Sequence, residues 1–83
     1  MSEDIHFRNI LKHLSEVNKH LEKIPEEFLA TKTLSEEEKR EFSRVMYELE
    51  IGFAKVVSLI ARKRGKALPF IANKKDIDEV LKI

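Results

Sequence analysis

An 83-residue chain that is 42% apolar can build one small core, so a single domain over residues 1–83 is expected. It holds no cysteine, which excludes a disulfide framework and a thiolate zinc site. The net charge of +1 hides a polarity: residues 24–50 carry four basic and eight acidic groups, residues 61–83 seven basic and three acidic. Generic charge-driven coating of nucleic acid is therefore disfavoured, while one basic end remains available to an anion.

The opening Met1-Ser2-Glu3-Asp4 is acidic, unlike the basic start of a secretory signal. The longest apolar stretch, Ile51 to Ala61, is interrupted by Lys55 and is too short to span a bilayer. An intracellular, cytoplasmic protein with no membrane partner is expected. Charged residues reach 37%, with no Gln and three Asn, a balance found in hyperthermophile proteins.

The first helix is predicted from Asp4 to Lys23. Phe7, Ile10, Leu14, Val17, Leu21 and Ile24 alternate at spacings of three and four, and Leu11 widens the stripe. Ser2 or Asp4 can cap its start. Pro25 has no N–H, so the helix should stop before it and a separate short turn should begin there. Phe28 and Leu29 are expected to plug the core, and Thr31-Lys32-Thr33 to connect.

Ser35 and Glu38 have the spacing of a capping box, and Glu36, Glu37 and Glu38 complement the positive helix end. The main helix should run to Arg62–Arg64 and end at Gly65. Phe42, Val45, Met46, Leu49, Phe53, Val56, Val57 and Ile60 form a broad apolar face. From Ile51 to Ala61 nearly the whole circumference is apolar, which predicts a helix enclosed by others. Gly52 inside it predicts the close approach of a neighbouring helix. Lys66 to Ala72 should cross back with Leu68, Phe70 and Ile71 packing inward. Asn73 then caps a last helix carrying Ile77, Val80 and Leu81. The expected fold is all-α: a small irregular bundle of three main helices plus a turn near Pro25, with a long buried central helix.

Four constellations bear on function. Phe7, Ile10, Leu14, Val17 and Leu21 form a candidate interface for a second copy or a helical protein partner. Arg62, Lys63, Arg64 and Lys66, joined by Lys74 and Lys75, form a candidate contact with nucleic-acid phosphates. His6, His13 and His20 recur every seven residues, about 10.5 Å apart along a helix, so one metal ion cannot join two of them within a chain. Glu36, Glu37, Glu38 and Glu41 read as a solvated, dipole-complementing face. No nucleophile, phosphate loop or metal-binding carboxylate pair is recognisable, and no cofactor is expected.

Arg8 and His13, in Arg8-Asn9-Ile10-Leu11-Lys12-His13, resemble the short Arg–His motif of HEPN-type ribonucleases. That resemblance implies Arg steadying phosphate charge and His moving a proton across a dimer. A second resemblance is carried by Leu21-Glu22-Lys23-Ile24-Pro25-Glu26-Glu27-Phe28, Tyr47-Glu48-Leu49-Glu50 and Lys55-Val56-Val57-Ser58-Leu59-Ile60-Ala61-Arg62. These segments resemble the helical A domain of archaeal GINS subunits, non-catalytic scaffolds of the replicative helicase complex. No Tyr follows Phe28, and Ile51-Gly52-Phe53-Ala54 stands where that family has an Arg run. In size and composition the chain is also similar to small proteins of hyperthermophilic archaea and their viruses. The expected function is a non-enzymatic helical interaction module, homodimeric or bound to a helical protein, serving DNA or RNA transactions. Direct nucleic-acid binding through residues 62–66 and a HEPN-like dimeric ribonuclease are the alternatives.

Overall fold

In a computed structural model, which describes residues 3–70 and 72–83, the chain folds as three α-helices: α1 (Ile5–Ala30), α2 (Glu36–Lys63) and α3 (Lys74–Leu81). The helix boundaries follow the local chemistry of their ends. The Asp4 carboxylate accepts from the Phe7 N–H at 2.8 Å and starts α1. Ser35 and Glu38 form the expected reciprocal box at α2, and Asn73 forms one with Asp76 at α3. Gly65 takes φ 66°, and the N–H groups of Gly65 and Lys66 return to the carbonyls of Arg62 and Ala61, which closes α2 in a Schellman motif.

Pro25 does not end α1, which continues to Ala30, so the separate turn expected there is absent. A proline inside a helix costs about 3 kcal/mol, because the carbonyl four residues back loses its donor. Packing offsets the cost. Continuing the helix carries the Phe28 ring onto Phe42, stacked with centroids 3.5 Å apart and planes 9° apart. It also brings the Leu29 carbonyl within 3.3 Å of the Lys39 ammonium. Phe28 is half-buried, and Leu29 remains exposed rather than plugging the core.

The core-facing seam of α1 is Phe7, Leu11, Leu14, Asn18, Leu21, Pro25 and Phe28, spaced four and three in strict alternation. It shares Phe7, Leu14 and Leu21 with the predicted stripe but takes the column of Leu11 and Asn18 in place of Ile10, Val17 and Ile24. Leu11 is 0% exposed, whereas Ile10 is 45% and Val17 42% exposed. The rotation is explained by Asn18, whose side-chain amide donates to Asp78 of α3 at 2.7 Å and so can be buried.

On α2 the buried residues are Met46, Phe53, Val57 and Ala61, with Phe42 and Ile60 packed beside them. The helix is covered on one side only. Val45, Leu49, Ile51, Val56 and Leu59 are exposed, contrary to the expectation of enclosure. Helix α3 lies across both partners and inserts Ile77, Val80 and Leu81. In the crossing before it, Leu68 packs inward as expected, Phe70 is 103% exposed against expectation, and Ile71 lies outside the described residues.

The product is a rod of 51 × 24 × 17 Å with a radius of gyration of 15.0 Å. A compact domain of this length would have a radius of about 12 Å.

Candidate interaction surface

Helix α3 sits on one flank of the α1–α2 hairpin. It meets α1 through Asn18 and Glu22, and it shares a cleft with Phe53 and Ala54 of α2. With 3.6 residues per turn, Ile10, Val17 and Ile24 fall on the opposite flank of the α1 seam. Val45, Leu49, Gly52, Val56 and Leu59 fall on the corresponding flank of the α2 seam. Antiparallel pairing puts these two stripes on the same side of the hairpin, away from α3. They form one long apolar face that none of the described residues covers: Ile24, Val45, Leu49, Val56 and Leu59 are all exposed, Leu59 at 59%.

The α2 stripe alternates four and three, a second seam in addition to the one that enters the core. Gly52 lies at its middle, and a Cβ built there meets nothing within 4 Å. The close neighbour that this glycine predicted is therefore not found among the described residues. Sequence reasoning read the α2 stripe as part of one broad core face and missed its independence. The signal was present, since one helix needs only one seam to join a three-helix core.

The five residues predicted as an interface divide accordingly. Ile10 and Val17 lie on the open face. Leu21 is buried, and Phe7 and Leu14 are half-buried against the core, because the true seam passes through them.

The basic end is reorganised by α3. Arg64 is nearly buried and turns inward. Its Nε donates to Glu3 at 2.6 Å, its Nη2 to the other Glu3 oxygen at 3.3 Å, and its Nη1 to the carbonyls of Val80 and Lys82, both at 2.6 Å. These bonds spend the guanidinium on the last carbonyls of α3, which have no helical donor. Lys66 donates to the Glu79 carbonyl at 3.0 Å. Lys74 is held by Glu22 at 3.1 Å and Asp78 at 3.3 Å, and the hydrogen bonds it donates to Glu22 and then to Asp78 push its ammonium above the ordinary lysine range. Of the six cations predicted to meet phosphate, Arg64 is a clasp rather than a free contact, and Lys66 and Lys74 are engaged. Arg62, Lys63 and Lys75 are exposed and make no ion pair among the described residues.

Arg8 and His13 are both exposed on α1. Five helical residues turn about 140°, so the two side chains leave opposite sides and share no site within one chain. His6, His13 and His20 form an exposed column beside Ile10, Val17 and Ile24. Among the described residues no group of His, Asp and Glu is arranged to hold a metal ion, and no helix is long and apolar enough to cross a membrane. Of the acidic residues, Glu38 serves the α2 capping box. Glu41 pairs with Arg44 at 2.7 Å, and that hydrogen bond, reinforced by the charge, holds its carboxyl below the usual range. Comparison of the chain with protein-family models, with curated proteins and with solved structures finds no match in any of the three.

Proposed function

We propose that this chain is a non-enzymatic helical interaction module whose working surface is the bare face of the α1–α2 hairpin. The supporting observation is the continuous apolar stripe pair, Ile10, Val17 and Ile24 beside Val45, Leu49, Val56 and Leu59, left in water by a chain that has a helix to spare for the other face. Contiguous apolar patches on small proteins mark interaction sites, because leaving them wet forgoes about 25 cal/mol per Å² of burial. The resemblance of Leu21–Phe28, Tyr47–Glu50 and Lys55–Arg62 to a replication scaffold supports the reading that such a module serves DNA or RNA transactions.

The test is Leu49→Glu combined with Val56→Glu. Neither side chain enters the core, so helical circular dichroism should be unchanged. Association with itself, and with proteins of the source cell, should be lost in sedimentation and co-purification. A wild-type chain that is monomeric and without a partner would overturn the reading. So would RNA cleavage by the purified chain that disappears with His13→Ala, which would make Arg8 and His13 an active pair.

A further inference from the structure

We infer that the bare face is occupied by a second copy of this chain, docked antiparallel about a two-fold axis that passes Gly52 of α2 and Val17 of α1. The inference rests on the interaction reading above and names its partner.

Glu41, Glu48, Lys55 and Arg62 are spaced by seven, so they form one column along the edge of the α2 stripe. An antiparallel copy centred on Gly52 sets Glu41 against the partner's Arg62 and Glu48 against the partner's Lys55. A parallel copy would set each charge against itself. Lys55 and Arg62 have no ion-pair partner among the described residues of their own chain, whereas Glu41 and Glu48 share only Arg44. The whole helix has the same polarity: residues 36–50 carry six acidic and three basic groups, residues 51–66 five basic and none acidic.

The apolar stripes also invert onto themselves: Val45 and Leu59 stand seven residues either side of Gly52, and Leu49 and Val56 stand three before and four after it, so an antiparallel copy brings Val45 against the partner's Leu59 and Leu49 beside the partner's Val56. On α1, Ile10, Val17 and Ile24 are symmetric about Val17. The two centres stand at one height. Phe28 stacks on Phe42, Val17 is eleven residues before Phe28, and Phe53, next to Gly52, is eleven after Phe42. One axis therefore serves both helices. It also brings the column of His6, His13, His20 and Glu27 against its own inverse, with His13 facing the partner's His20. Gly52, with open space at its Cβ, lets the two α2 backbones approach at the axis.

A compact protein of 9.7 kDa exposes about 5,100 Å², and this chain exposes 6681 Å². The excess exceeds the roughly 800 Å² per partner that a stable interface buries.

Sedimentation equilibrium of the wild-type chain should return twice the 9.7 kDa chain mass. Glu41→Arg with Glu48→Lys makes the column wholly basic, and Lys55→Glu with Arg62→Glu makes it wholly acidic. Each variant should self-associate at least about a hundredfold more weakly, since like charges face each other, while an equimolar mixture of the two should recover a dimer. Because the chain has no cysteine, Val45→Cys and Leu59→Cys report orientation. Their mixture should cross-link under mild oxidation, and neither alone should. All these positions are exposed in the single chain, so circular dichroism should show every variant folded. Cross-linking of Val45→Cys alone, or charge reversal without effect on the dimer, overturns the inference. A monomeric wild type that still co-purifies with another protein through Leu49 and Val56 overturns it and leaves the interaction module standing. A monomer with no partner defeats both.

Discussion

On one side of the α1–α2 hairpin, Leu11, Phe53, Val57 and Ala61 are sealed by Ile77, Val80 and Leu81. On the other, Ile10, Val17, Val45, Leu49, Val56 and Leu59 meet solvent. Both sides are lined by apolar side chains. They differ in polar fastening. The covered side carries Asn18 to Asp78, Lys74 to Glu22, and Arg64 to the carbonyls of Val80 and Lys82, each joining α3 to a definite place. The open side carries its charges as columns along the edge, and among the described residues these form ion pairs only with Arg44. Apolar surface supplies the drive to cover a face, and polar groups with defined geometry select the cover.

The sharpest way to break this contrast is a pair of truncations. Leu11→Ala empties a fully buried site and should destabilise the fold by about 2–5 kcal/mol. Leu59→Ala should change single-chain stability by no more than about 0.5 kcal/mol while weakening association. Urea unfolding at dilute and concentrated protein separates the two effects. Next in size is Arg64→Ala, which leaves the Glu3 carboxylate and two carbonyls without their donor and should cost about 2–3 kcal/mol. Arg62→Ala should be near neutral in the same unfolding experiment.

Gly52→Ala sharpens the comparison by separating fold from interface. Nothing within 4 Å obstructs the new methyl, so the single chain should gain up to about 1 kcal/mol from helix propensity. Self-association should fall in the same variant, because the methyl enters the helix crossing. A rise in both stability and association would remove Gly52 from the interface.

The smallest effect concerns Glu41. Its folded-state pKa is lowered, first by the hydrogen bond from Arg44 and then by its charge, so the pair contributes at neutral pH. That contribution is lost as pH falls from about 4.5 through the lower folded value. Arg44→Ala should slightly flatten the acid limb of stability against pH, and should leave neutral-pH stability almost unchanged because both groups are fully exposed.

What the sequence made legible was local. The Ser35 and Asn73 caps, the Asp4 start and the Gly65 stop depend on residues within one turn, and all were readable from spacing. The seam of α1 was not. Positions 10, 17, 24 and positions 11, 18, 25 are equally spaced, and the first column is wholly apolar while the second holds Asn18 and Pro25. Choosing the apolar column is the sound local inference. It fails because Asn18 finds Asp78 sixty residues away and Pro25 is held by a stack beyond it. Arg64 was misread for the same reason: its neighbours Arg62, Lys63 and Lys66 suggested a phosphate site, and its partners lie at the far ends of the chain. Phe70 shows the opposite error, an aromatic assigned to the core because of its type and left outside by the path of the crossing.

The reach of α3 has a consequence for how the rod opens. Its clasp extends as far as Leu21, Glu22 and Glu50. Beyond that level the hairpin is held by Pro25, Phe28, Phe42 and Met46 and by the Lys39 ammonium on the Leu29 carbonyl, with the loop at residues 31–35 at the tip. Amide hydrogens should therefore exchange in two tiers. Those of residues 8–20 and 53–62 should wait for cooperative unfolding, and those of residues 24–45 should exchange through a cheaper separation of the tip. The molecule would then melt like a zipper from one end, with the three-helix end as the last unit to let go.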